Sequence, residues 1–392
     1  MDNKPSIENE VWVFLSHSSK DYKSVRLLRN LLEEEGYRPI MFFLCCLNDD
    51  EEIADLIKRE IDSRRLFILC DSPNARNSAW VQKEVQYIKS KRRYYQTVKL
   101  DTPLTAIRDQ IIRFRKDSTI YLFYSRGDRA LFPLLRNALQ KEMGFRICDW
   151  HDAVTGYSVK AAVNKALKNG YAFFLQSDRD PSKGIIRNGI KYAQSHKLAN
   201  RSCVLTESEP APADFKSVKY CLRENGEIDI DEERLYLHVM LDRIKEGARM
   251  GEPASQYWLA YYNSRYCVQY EYGLHSDYFR RYTLDLARSA AEAGYAPAAM
   301  LYVELFEDIF RWYRGDFNDN YAKELETLDR LISMFPDCAD CYHGKGEILM
   351  HTGDWQGAQR MWLKVLELDP DFLLKHKNGT PLYDRLKKEG LI

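Results

Sequence analysis

The chain has 392 residues, 45% hydrophobic and 30% charged, a length that suits two or three domains and a composition that excludes wholesale disorder. Lys and Arg together number 58, as do Asp and Glu, so the formal net charge is zero. The balance nearly holds within residues 1–117, with a modest excess of base in 118–230 and of acid in 231–392; no segment is basic enough to argue for nucleic acid.

Met1 to Glu10 is polar and acidic and does not read as a signal peptide. Val11–Ser16 is apolar up to its serine and predicts a strand buried on both faces. Asp21 is expected to cap the helix that follows and to carry no chemistry. Leu27–Ile40 predicts that helix and a second strand. The longest apolar run, Pro39 to Leu47, has nine residues, where a membrane-spanning helix needs about twenty. Leu66–Asp71 predicts a third strand, and the next helix carries Lys83, Gln86 and Lys89 on a polar face. The pattern then recurs. Ile120–Ser125 predicts a strand ending in Phe-x-Ser, as Val11–Ser16 does. Leu134–Ile147 repeats the Leu-Leu-Arg-Asn opening of Leu27–Ile40 at an offset of 107, and Tyr171–Gln176 predicts another apolar strand. The order β-α-β-α-β thus occurs twice, which argues two α/β units with parallel sheets, residues 1–117 and 118–230.

From about residue 231 strand-like runs stop and helical stretches rich in Ala, Leu, Tyr and Trp follow one another. Residues 339–372 resemble one tetratricopeptide repeat, with Gly346, Ala358, Trp362 and Pro370 at the small, aromatic and terminating positions. The stretch Ala287 to Ala299 resembles the Sel-type variant. An α-solenoid of three or four helix pairs over residues 231–392 is the expectation. The nine cysteines, without a secretory signal, read as reduced thiols of a cytoplasmic protein. Cys338 and Cys341 form a lone C-x-x-C without the second pair or histidines that a zinc site requires, so they read as structural thiols and no metal is expected.

The segment Phe14-Leu-Ser-His-Ser-Ser-Lys-Asp21 after the first strand, together with Ser78, Trp80 and Glu84 after the third, resembles the Toll/interleukin-1 receptor (TIR) domain family over residues 9–117. The resemblance implies a flavodoxin-like sheet. It also implies one of two roles: cleavage of the nicotinamide–ribose bond of NAD+, or adaptor function through self-association. In the cleaving members the motif glutamate is catalytic, which points to Glu84 here. Trp80, Ser16, His17 and Ser78 are candidate substrate-binding residues, with NAD+ as substrate rather than cofactor. The chemistry agrees: nicotinamide leaves neutral from a cation, so one carboxylate that stabilises an oxocarbenium-like ribose suffices. The glycine that the family usually carries in the loop after the second strand is missing from Leu44–Glu52.

The second unit reads as a degenerate copy. At an offset of 105, Trp80 meets Ile185 and Glu84 meets Gly189, while Asp152 and Gly156 resemble the family's second-strand loop. The resemblance implies an intracellular, bacterial anti-phage immune system, with self-association through the TIR units, a protein or small-molecule trigger at the repeats and neither nucleic acid nor membrane as partner. The alternative is a non-enzymatic TIR scaffold.

Overall fold

The structure, a computed structural model, describes residues 10–41, 50–90, 94–153, 158–177, 184–196, 201–210, 216–267, 276–312 and 321–372. The loop Leu44–Asp49, Gly156 and the side chains of Asp152, Ile185 and Lys89 lie outside the described set. The chain divides into two compact units, Met1–Met240 and Leu241–Ile392.

The first unit holds two sheets. Strands β1 (Val11–Ser16), β2 (Tyr37–Ile40), β3 (Leu66–Asp71) and β4 (Tyr94–Lys99) form a parallel sheet in the order β2-β1-β3-β4. Its connections are α1 (Tyr22–Glu34), α2 (Asp50–Ser63), α3 (Pro73–Arg76), α4 (Ala79–Ser90) and α5 (Leu104–Asp117). Helix α1 buries Val25, Leu28, Leu31 and Leu32, which recur every three or four residues and so share one face. Phe14, Ile57, Ile61, Phe67 and Ile88 join β1, β3, α2 and α4 in one apolar cluster. The expectation that β1 is buried on both faces needs correction at Trp12, which is 42% exposed. The Arg64 guanidinium lies 5.2 Å from the centroid of its ring, so a cation covers that face where a helix was expected.

Strands β5 (Thr119–Phe123), β6 (Arg146–Asp149), β7 (Tyr171–Gln176), β8 (Ser202–Thr206), β9 (Ser217–Leu222) and β10 (Ile228–Ile230) form the second sheet, in the order β10-β9-β8-β7-β5-β6. Five strands are parallel; β10 runs antiparallel to β9, a feature absent from the sequence reading. Helices α6 (Phe132–Met143), α7 (Val159–Asn169) and α8 (Gly184–Ser195) complete it. The predicted strand Ile120–Ser125 ends instead at Phe123, and the register shows why this matters. Ser16 pairs with Leu69, and Phe123 pairs with Phe174. Leu69 and Phe174 hold the same place in their strands, so the positional equivalent of Ser16 is Phe123. The shared Phe-x-Ser string is out of step by two residues.

The two sheets of this unit touch at a polar and aromatic seam. The Tyr37 hydroxyl and Ser118 Oγ lie 2.8 Å apart, and the Phe114 ring lies 5.3 Å from that of Tyr37. The Arg146 guanidinium lies 5.0 Å from the centroid of the Tyr37 ring and donates through Nη2 to the Glu35 carbonyl at 2.7 Å. Arg65 Nε donates to the Lys141 carbonyl at 2.9 Å.

Helix α9 (Glu232–Arg249) spans the division between units. The second unit continues with α10 (Pro253–Tyr266), α11 (Ser276–Glu292), α12 (Ala296–Trp312), α13 (Tyr321–Met334), α14 (Ala339–His351) and α15 (Trp355–Leu368). Helices α14 and α15 pack so closely that a Cβ on Gly346 would lie 2.4 Å from Nε1 of the buried Trp362, so only glycine fits there. Among the described residues no helix is long and apolar enough to cross a membrane.

Candidate active site

The strand order β2-β1-β3-β4 sends the chain from β1 to one side and then to the other. The crevice at the carboxyl ends of β1 and β3 is therefore the switch point where doubly wound sheets place ligands. Ser16 ends β1 there, fully buried. Its hydroxyl donates to Oε2 of Glu84 on α4 at 2.5 Å. Trp80 precedes Glu84 by four residues and so shares its helix face. A cavity of about 520 Å³ opens on that face, lined by Ile57 and Lys58 of α2 and by Trp80, Lys83, Glu84, Gln86 and Tyr87 of α4. That volume is within the range of small-molecule sites. Lys83 Nζ sits 4.8 Å from the centroid of the Trp80 ring. The Tyr87 hydroxyl donates to the Asp62 carboxylate at 2.9 Å, which ties α4 to α2 across the cavity.

Burial pushes the Glu84 carboxyl up to about 7, and the bond from Ser16 opposes that rise without cancelling it. Near neutral pH both its protonated and ionised forms are present. Burial is also the largest influence on His17, which it holds below the ordinary imidazole value against the opposing effects of the Leu15 carbonyl and Asp21. A neutral ring with Nδ1–H donating to the Leu15 carbonyl fits the 2.9 Å separation.

The structure thus joins Ser16, Trp80 and Glu84, with different parts for each. Glu84 and Trp80 line the cavity, whereas the Ser16 hydroxyl is turned onto the carboxylate from beneath. Ser78 stands at the amino end of α4, where its Oγ accepts from the Val81 amide at 3.4 Å. His17 and Ser78 are not among the cavity-lining residues. Lys58, Lys83 and Tyr87 were missed as site residues. The spacing 80, 83, 84, 87 on one helical stripe could have flagged Lys83 and Tyr87; nothing local marks Lys58, which comes from another helix.

Asp21 also departs from expectation. It makes no side-chain cap bond to α1. Its carboxylate instead accepts from Ser72 Oγ at 2.5 Å and Asn74 Nδ2 at 2.7 Å. It therefore clasps the segment after β1 to the segment after β3, the two that flank the crevice. Asp128 does the same in the second sheet, accepting from Ser125 at 2.7 Å and Ser177 at 2.5 Å.

What the second sheet does not repeat is the hydroxyl–carboxylate pair. Phe123 takes the place of Ser16, Phe174 that of Leu69, and Gly189 that of Glu84. The Phe123 and Phe174 rings lie 5.1 Å apart. A Cβ on Gly189 would lie 2.7 Å from Phe174 Cε1, so the ring fills the space next to that helix position. Among the described residues no group of three or more His, Cys, Asp or Glu is arranged to hold a metal.

A parallel sheet with helical crossovers, its strand order reversing beside a half-buried carboxylate that lines a cavity, defines a doubly wound α/β class. Within it, the family model described as TIR domain matches residues 13–119, so this part of the chain carries a TIR domain. No curated protein and no solved structure matches the chain.

Proposed function

We propose that the chain is a TIR-type NAD+ nucleosidase that cleaves the nicotinamide–ribose bond, with Glu84 as the catalytic residue. The observation that carries this reading is the Glu84 carboxyl itself: half-buried, held by Ser16, and lining a cavity that Trp80 walls. In the reaction the C1′–N bond breaks with its electron pair going to the nicotinamide nitrogen. Positive charge that leaves the pyridinium develops on the ribose, where the ionised Glu84 stabilises it. Water then bonds to C1′ and releases a proton; a nucleophile from the substrate in its place gives a cyclic or conjugated product. Trp80 offers a face for a base to stack on, and Lys58 and Lys83 supply positive charge for the pyrophosphate.

In this reading residues 118–230 are an inert copy kept for support or assembly, and activity requires self-association. The helical segment, read as tetratricopeptide-like, docks the trigger, and the whole serves intracellular immunity. The test is incubation of the purified chain with NAD+ over a range of protein concentrations, with released nicotinamide read by mass spectrometry. No release at any concentration, with or without infected-cell lysate, leaves the scaffold reading in its place. Removal of residues 231–392 should give either constitutive NAD+ loss or no response to the trigger; an unchanged rate, concentration dependence and triggering rules out a regulatory role for them.

A further inference from the structure

Cys338 and Cys341 stand in the first turn of α14. Cys338 is its N-cap residue and makes no side-chain cap bond. Serine or aspartate would serve that position better. This chain uses them elsewhere: Ser158 caps α7 and Asp354 caps α15 through their side chains. Capping therefore does not account for a cysteine at 338. Cys341 is fully buried, while Cys338 is only partly so. The Cys341 amide donates to the Cys338 carbonyl at 3.2 Å, which folds the two residues into one tight turn. Cys70 and Cys203, in contrast, are buried within strands, and Cys221 is exposed at the end of one.

We propose that Cys338 and Cys341 form a reversible dithiol–disulfide site, oxidised by low-molecular-weight disulfides of the glutathione class. The partly exposed Cys338 is the attacking sulfur and the buried Cys341 the resolving one, the division of labour that thiol–disulfide exchange needs. In the first step the Cys338 thiolate bonds to one sulfur of the small disulfide, whose S–S bond breaks and releases one thiolate. In the second, Cys341 gives its proton to a leaving thiolate and its sulfur displaces the remaining small thiol from Cys338. Two protein thiols lose two protons and two electrons; the small disulfide gains them as two thiols. The environment favours this order. The Cys341 thiol, first, and the backbone amides of Cys341 and Asp340 hold Cys338 below the ordinary thiol range, against burial and the Asp340 carboxylate. Cys341 is pushed up, first by its bond to Cys338 and then by burial. The next turn of α14 carries His343, whose Nδ1 lies 2.8 Å from Glu307 of α12, so the site adjoins the place where α14 docks on its neighbour. The proposal is independent of the NAD+ reading.

The full-length reduced chain, equilibrated in glutathione redox buffers, acid-quenched, alkylated and peptide-mapped, tests this. The expected result is a 338–341 disulfide, lighter by two hydrogens, that grows with the oxidised fraction of the buffer and disappears on re-reduction. Cys341→Ser should trap a glutathione adduct on Cys338, and Cys338→Ser should leave Cys341 as a free thiol. In the unsubstituted protein, Cys338 should alkylate at least ~10-fold faster than the exposed Cys221 near pH 7. Full alkylation of both cysteines under oxidising buffer, a persistent glutathione adduct on Cys338 without resolution, or pairing of Cys338 with another cysteine overturns the proposal.

Discussion

At the carboxyl end of β1 a hydroxyl meets a carboxylate beside a cavity; at the matching end of β5 two phenyl rings meet and a glycine makes room for one of them. Around these points the two sheets are alike: the first four strands of each run in the order 2-1-3-4 in its own numbering, and each fastens the segments after its first and third strands with an aspartate. The features that hold the crevice in shape are therefore separable from the hydroxyl–carboxylate pair beside the cavity. Three positions, Ser16 against Phe123, Leu69 against Phe174 and Glu84 against Gly189, mark the loss of the hydroxyl–carboxylate pair.

The largest test of that contrast is Glu84→Gln. The amide keeps an oxygen to accept from Ser16, so the fold should persist, while NAD+ cleavage should fall by at least ~100-fold, the scale for one preorganised electrostatic group. Turnover within a few-fold of the parent would break the comparison at its chemical end.

Next comes pH. If the ionised carboxylate does the work, kcat/KM should fall about tenfold per pH unit below about 7, where burial places Glu84. Ser16→Ala removes the bond that restrains the rise, so this limb should move to higher pH. Stability follows the same titration with the opposite sign. The folded carboxyl binds its proton more tightly than the unfolded one near 4.5, so stability should fall as pH rises from 4.5 to 7, by up to about 3 kcal/mol. Glu84→Gln should be free of that loss; parallel melting curves against pH for the two proteins would refute the assigned burial.

The aspartate clasps give a smaller effect that sharpens the likeness. Asp128 is 2% exposed, and Asp128→Ala strands two hydroxyls, a loss of about 1–3 kcal/mol in a urea titration. Asp21 is less buried, so Asp21→Ala should destabilise less yet lower NAD+ cleavage, since it loosens the edge that presents Glu84. Equal stability losses and unaltered cleavage would make both clasps merely structural.

Smallest is Gly189→Ala. Helix propensity favours the change by about 1 kcal/mol, but overpacking against the buried Phe174 costs about 1–3 kcal/mol, so a net loss near 1 kcal/mol is expected with cleavage untouched. Gly184→Ala, with open space around it, serves as the control and should not destabilise. Stabilisation by Gly189→Ala would mean that the ring does not fill that corner.

Much of the first sheet was legible because its signals are local. Apolar strands, the period of α1, and the four-residue step from Trp80 to Glu84 each lie within one element. What escaped depends on distance or register. The clasp of Asp21 joins residues 51 and 53 positions away, and no spacing rule reaches that far. Lys58 enters the cavity from a different helix. The equivalence of Ser16 with Phe123 was hidden by a Phe-x-Ser string that repeats two residues out of step, and only strand pairing resolves it. The edge strand β10 is three residues long, too short for an alternating pattern to register.

The seam around Tyr37 has a consequence for how the protein opens. Its ring contacts both Phe114 and Arg146, and its hydroxyl is shared with Ser118 at the start of the second half. Neither sheet can part from the other without wetting a buried aromatic and breaking the Arg146 and Arg65 bonds to backbone carbonyls. The two halves are then one cooperative foldon, and slow amide exchange in β1 and β5 should report a single opening free energy. Whatever the second sheet lacks beside its β5 end, this coupling gives it a part in the lifetime of the closed state, measured in opening rates and not in turnover.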